Sequence, residues 1–139
     1  MPGHRRGEKG AVQIEFILSF LVIMFMMFAM WELIMITHTM NVMSDAAKEG
    51  VRCAIVRGNG CPAPAGCPFA GDNIKCRVWD YARFSLHDVS AINIDVTYPD
   101  GTTIAPNRVR ITLAYDFVPY TAMPYKPTIH AAAEGRIVY

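Results

Sequence analysis

The apolar run at residues 10–36, GAVQIEFILSFLVIMFMMFAMWELIMI, constrains this chain more than any other feature. Within residues 16–31 only Ser19 is polar, and after Glu32 the apolar character resumes at residues 33–36. A helix needs roughly 20 such residues, at about 1.5 Å of rise each, to cross about 30 Å of hydrocarbon. The run meets that length, so residues 11–36 are expected to form one transmembrane helix. Arg5, Arg6 and Lys9, against Glu8, give it a positive flank, whereas residues 37–44 carry no Lys or Arg. The positive-inside tendency then keeps the N-terminus in the cytoplasm and exports residues 37–139.

Glu15 is the unusual residue of the run. A carboxylate entering the membrane costs on the order of a few kcal/mol, so it needs a partner, a function, or a place at the headgroup level beside the partial positive charge of a helix N-terminus. Gly10 stands between the basic flank and the apolar run. Cutting after it would make Ala11 a new N-terminus and Glu15 the fifth residue. A secretory signal peptide also starts basic and then apolar, but its apolar core is typically about 7–15 residues and ends at a small-residue cleavage site. Here the run is longer and continues into a helical pattern, so export with the helix retained is expected. Residues 1–10 then read as a leader for orientation and processing rather than as part of the fold.

The next block repeats at helical spacing. Met40, Met43, Ala47, Gly50 or Val51, and Ala54 recur every three or four residues, with Asp45, Lys48, Glu49 and Arg52 on the other side. No breaker interrupts residues 14–57, which predicts one continuous helix about 66 Å long. Gly58, Asn59 and Gly60 stop it. Gly50 within it costs about 1 kcal/mol relative to Ala, which is consistent either with close packing against its backbone or with simple tolerance. Residues 58–71, GNGCPAPAGCPFAG, are too rich in Pro, Gly and Cys for regular structure. Asp72 or Asn73 is placed to cap a short second helix with Ile74, Val78, Tyr81, Ala82 and Ser85 on one face, and Trp79 and Phe84 are expected to pack in the core.

The period then changes to two. Ile92, Ile94, Val96 and Tyr98 alternate with polar residues, and so do Val109, Ile111, Leu113, Tyr115 and Phe117 after a Pro-Asp-Gly turn. Three prolines within residues 118–127 carry the chain to a last strand over residues 128–139, with the small residues Ala131, Ala133 and Gly135 on the face that a helix would approach. The expected fold is α+β and pilin-like: a long N-terminal helix, a short second helix and a three-stranded antiparallel sheet on the outer half of the first helix.

Three blocks in order, GAVQIEF at residues 10–16, WEL at residues 31–33 and DAAKEGVR at residues 45–52, resemble the TadE-like family of pilus-assembly proteins, the minor pilins or pseudopilins of the Tad or Flp type IV pilus system. Weaker similarity continues through VTYPDG and the terminal strands. Met, Trp and Glu crowd the end of the membrane segment, and the four cysteines are not part of the family's pattern. The resemblance implies a prepilin cleaved between Gly10 and Ala11 by a prepilin peptidase. It also implies an assembly contact at Glu15 and Phe16, and other pilins and the assembly machinery as partners. The implied location is the bacterial inner membrane with a periplasmic C-terminal domain, and from there an extracellular pilus. The other reading is an uncleaved, signal-anchored envelope protein whose exported domain binds another protein.

Glu32 lies about 25 Å along the helix from Glu15 and about 100° around it, so the two acids do not share a stripe. Beside Trp31 it reads as a marker of the far membrane boundary. Cys53, Cys61, Cys67 and Cys76 are an even set in an exported region, which favours two disulfides. Three connectivities are open, and the nested pairing of Cys53 with Cys76 and Cys61 with Cys67 is geometrically attractive. Their spacings do not resemble a zinc site, in which cysteines pair two to four residues apart.

Composition narrows the remaining classes. The formal charge is +1, with 13 basic against 12 acidic residues; loss of residues 1–10 leaves 10 against 11, which offers no basic surface for nucleic acid. His4, His38, His87 and His130 are scattered, and no nucleophile motif accompanies them. We therefore expect no enzyme, no cofactor, no metal and no small-molecule substrate. The nine methionines suit an apolar surface that adapts to several partners or simply fills space.

Overall fold

The computed structural model describes residues 6–121 and 126–138. His4, Arg5, Pro124 and Tyr139, which figure in the sequence reading of the leader, the bend and the last strand, lie outside the described residues. The elements follow the order α1 (Arg6–Arg57), a 3-10 turn (Gly58–Gly60), α2 (Asn73–Ala82), a second 3-10 turn (Val89–Ala91), β1 (Ile92–Thr97), β2 (Arg108–Asp116) and β3 (Thr128–Arg136). This is the expected α+β order. The first helix starts earlier than residue 14, running without a break through Gly10 and Ala11.

The chain divides into two compact units, Met1–Met35 and Ile36–Tyr139. The first is helical throughout its described part. The second contains the rest of α1, α2 and the sheet, whose strands are ordered β1-β2-β3 with both pairs antiparallel. Ile94 pairs with Leu113, and Leu113 in turn with Ala131, so the alternating apolar residues of the strands fall on one face. Ile92, Ile94, Val109, Ile111, Leu113, Tyr115 and Ile129 are buried there.

Within this second unit the sheet meets α1 where both surfaces are small. A Cβ on Gly50 would fall on Cγ2 of Val78 in α2 and 2.8 Å from Cδ1 of Ile111 in β2. A Cβ on Gly135 would lie 2.6 Å from Cγ1 of Val51 and 3.1 Å from Cγ2 of Ile55. Close approach, rather than tolerance, is therefore why glycine stands at 50, and the small-residue face of β3 meets α1 as expected. The buried stripe of α1 is Val42, Met43, Ala46, Ala47, Gly50, Val51 and Ala54. Met40, expected on that stripe, is exposed, and Val42 and Ala46 are buried instead, one helical step around.

Asp72 caps α2 by accepting from the Lys75 backbone N–H at 3.1 Å. Ile74, Val78 and Ala82 are buried as expected, but Tyr81 and Ser85 face outward, because the buried face of α2 turns through Cys76 instead. Phe84 is 77% exposed rather than part of the core: α2 ends at Ala82, and Leu86 takes the inward place after the turn. The Arg83 guanidinium covers the ring faces of Trp79 and Phe84, 5.1 and 4.6 Å from their centroids.

The disulfides are Cys53–Cys61 and Cys67–Cys76, not the nested pair. Gly58, at φ 54°, turns the chain sharply as α1 ends and returns Cys61 to a Cα distance of 5.9 Å from Cys53. Each bridge thus fastens a neighbouring loop segment to one helix instead of joining the two helices. Asn59 supplies the join between them. Its Oδ1 accepts from the Asn73 backbone N–H at 3.0 Å, its carbonyl accepts from Asn73 Nδ2 at 2.7 Å, and its own Nδ2 donates to the Gly71 carbonyl at 3.2 Å.

Candidate functional site

The residues that sequence reading singles out for function lie on the first unit of α1. Gly10, Ala11, Glu15 and Phe16 are all exposed. So are nearly all the large apolar side chains that follow, from Val12 through Phe16, at 71%, to Ile34; Met24 is half-buried. An apolar face of this extent does not remain in water, since monomeric soluble proteins rarely expose apolar patches beyond a few hundred Å². The helix is long and apolar enough to cross a membrane, with a mean hydropathy of 2.3 in its most apolar window.

Chemically the face is uniform except at its acids. Among the described residues no ion pair or hydrogen bond reaches the Glu15 carboxylate. Phe16, next in the chain, stacks on Phe20 one turn later, with ring centroids 6.4 Å apart and planes 17° from parallel. Ser19 lies one turn beyond Glu15 and is the only other polar residue of residues 12–31 apart from Gln13. An exposed carboxylate bordered by aromatic and aliphatic side chains can accept a cationic or hydrogen-bonding partner brought by another molecule.

Glu32 differs. It is 3% exposed, while Trp31 and Leu33 on either side are exposed. The boundary reading of Glu32 does not predict this burial. Its burial was not legible from periodicity, which considers only the helix's own faces.

The second unit carries its charges mainly on the solvent face. Arg108 donates to Asp100 from Nη2 at 2.9 Å and from its backbone N–H at 2.8 Å, and Nη1 donates to Glu134 at 3.2 Å. These bonds from Arg108 hold the Asp100 carboxyl below its ordinary value of 3.8. The Ser90 hydroxyl and backbone N–H lower Asp88 in the same way. Burial raises the Tyr115 phenol, whose oxygen accepts from the Asp88 N–H at 3.4 Å. Each of these groups is accounted for by local structure: the first two close the hairpin and a 3-10 turn, and the third fills the core. Among the described residues no three His, Cys, Asp or Glu side chains are arranged to hold a metal ion.

Residues 10–52 match the family described as "TadE-like protein". This segment of the chain is therefore TadE-like, and it contains all three blocks that carry the resemblance, GAVQIEF, WEL and DAAKEGVR. The match ends at Arg52, ahead of the cysteines, α2 and the sheet. No curated protein and no solved structure matches the chain.

Proposed function

We propose that this chain is a non-enzymatic prepilin-like subunit that takes part in assembling a Tad or Flp pilus. The observation that carries the reading is the exposed apolar face of α1 within the TadE-like segment, interrupted by the Glu15 carboxylate, which has no ion pair or hydrogen bond among the described residues. A prepilin peptidase removes residues 1–10 on the cytoplasmic side of the inner membrane, and residues 37–139 fold in the periplasm. The mature helix then packs against other pilins or pseudopilins in the membrane or the fibre.

Physical chemistry supports the role given to Glu15. A carboxylate in an apolar helix bundle is costly alone, and cleavage after Gly10 creates an α-amino group at Ala11 that a neighbouring copy can bring to it. Phe16 adds an aromatic surface beside that contact. Because the Gly10–Ala11 bond sits in helical backbone, cleavage requires the first turns to unwind, which Gly10 makes easier by about 1 kcal/mol relative to Ala. That same helical continuity favours the second reading, an uncleaved anchor with a periplasmic protein-binding module. The test is Glu15→Ala in the native host. Membrane insertion and cleavage after Gly10 should stay unchanged while pilus production is lost; normal piliation would remove the role of Glu15.

A further inference from the structure

We infer that the groove at the end of α1 in the second unit is a binding site for an acidic peptide segment of a partner protein. The groove encloses about 420 Å³, within the range of roughly 300–1,000 Å³ common for ligand pockets. Arg52 and Arg57 line it from α1 and Arg77 from α2, against the single carboxylate of Glu49. Arg77 is engaged: its Nε and Nη2 donate to Glu49 Oε1 at 3.2 and 2.9 Å. Arg52 and Arg57 are exposed, and among the described residues neither has an ion-pair partner. Two uncommitted guanidiniums therefore face a cavity in a unit whose other arginines are largely paired with carboxylates.

The shape of the groove favours a peptide acid over a free phosphate. Its remaining wall is apolar, made by Val56, Pro62 and Cys53. The Cys53–Cys61 bridge fixes Pro62 against α1, so the wall is held in place covalently. Glu49 seated on Arg77 shows the guanidinium-to-carboxylate geometry that an incoming acid would repeat on Arg52 and Arg57. A lipid headgroup is disfavoured by position, because the helical rise from Ile36, where the apolar run ends, to Arg52 is about 24 Å. The occupant that meets these conditions is a carboxylate side chain beside an apolar one, on a protein segment. This inference does not depend on pilus assembly or on cleavage after Gly10.

The test uses the full chain in neutral detergent micelles. The probe is a fluorescein-labelled peptide carrying two adjacent carboxylates next to a leucine, with a twin in which amides replace the carboxylates; binding is read by fluorescence anisotropy. The acidic peptide should bind at least about tenfold more tightly than its amide twin, and the double variant R52Q/R57Q should abolish that difference. Both positions are exposed, so the variant is expected to keep its circular dichroism spectrum and both disulfides. Variant R52K/R57K, which keeps the charge but not the planar fork, should retain part of the preference. Equal binding of the two peptides, or a preference that survives R52Q/R57Q, would overturn the proposal. Displacement of the peptide by millimolar inorganic phosphate or by micelles doped with anionic lipid would overturn it too, by assigning the groove to phosphate.

Discussion

Glycine 50 is the residue where α1, α2 and the sheet come closest, and any side chain there must displace Val78 and Ile111, both fully buried. Overpacking of this kind typically costs about 1–3 kcal/mol, against a gain of about 1 kcal/mol in helix propensity. Gly50→Ala should therefore destabilise the second unit by up to about 2 kcal/mol, read as a lower denaturation midpoint of the full chain in detergent. Asp100 makes a different prediction at the same scale. Its carboxyl is held below the ordinary value of 3.8, so the stability it contributes is fully present above that pH and is lost as pH falls through the depressed folded value. Asp100→Asn should lower the melting temperature slightly at neutral pH, and the difference should vanish once the pH is below the depressed folded value, where the carboxylate is protonated in both states. The effect is small because the pair is exposed to solvent.

At the scale of elements, the sequence was most legible where a single period governs burial. The strands were readable because apolar and polar residues alternate, and the PDG turn between them forms with the Gly101 N–H donating to the Tyr98 carbonyl at 2.9 Å. The buried stripe of α1 was read one step out of phase at Met40, because two elements, α2 and the sheet, share the helix surface and widen the stripe. Phe84 was misread because its place past the end of α2 depends on where the helix stops. The disulfide pairing was not legible at all: local backbone turning at Gly58 decides it, and three connectivities satisfy the same spacing. Trypsin separates the observed pairing from the nested one without reduction. Cutting at Arg52, Arg57, Lys75 and Arg77 should leave peptides 53–57, 58–75 and 76–77 joined as one species. The nested pairing would instead join 53–57 to 76–77 and release 58–75 with an internal bridge. Removing one bridge, as in C67S/C76S, should cost roughly 2–3 kcal/mol by the chain-entropy relation.

For the whole molecule, the two units pose different physical problems. The unit of residues 36–139 satisfies itself, with a helix, a second helix and a sheet sharing one core and two disulfides. The unit of residues 1–35 does not, since nearly every large apolar side chain on its helix is exposed. That imbalance was legible in the composition of residues 10–36, as was the oddity of Glu15; the burial of Glu32 was not legible there. In the proposed function the exposed helix is an assembly surface that maturation completes. The central claim of that proposal is that the chain is cut between Gly10 and Ala11, and N-terminal sequencing of the protein isolated from the native cell envelope tests it most directly. The account predicts a sequence beginning at Ala11 and reading AVQIEF, whereas a chain that still begins at residue 1 or 2 would contradict it.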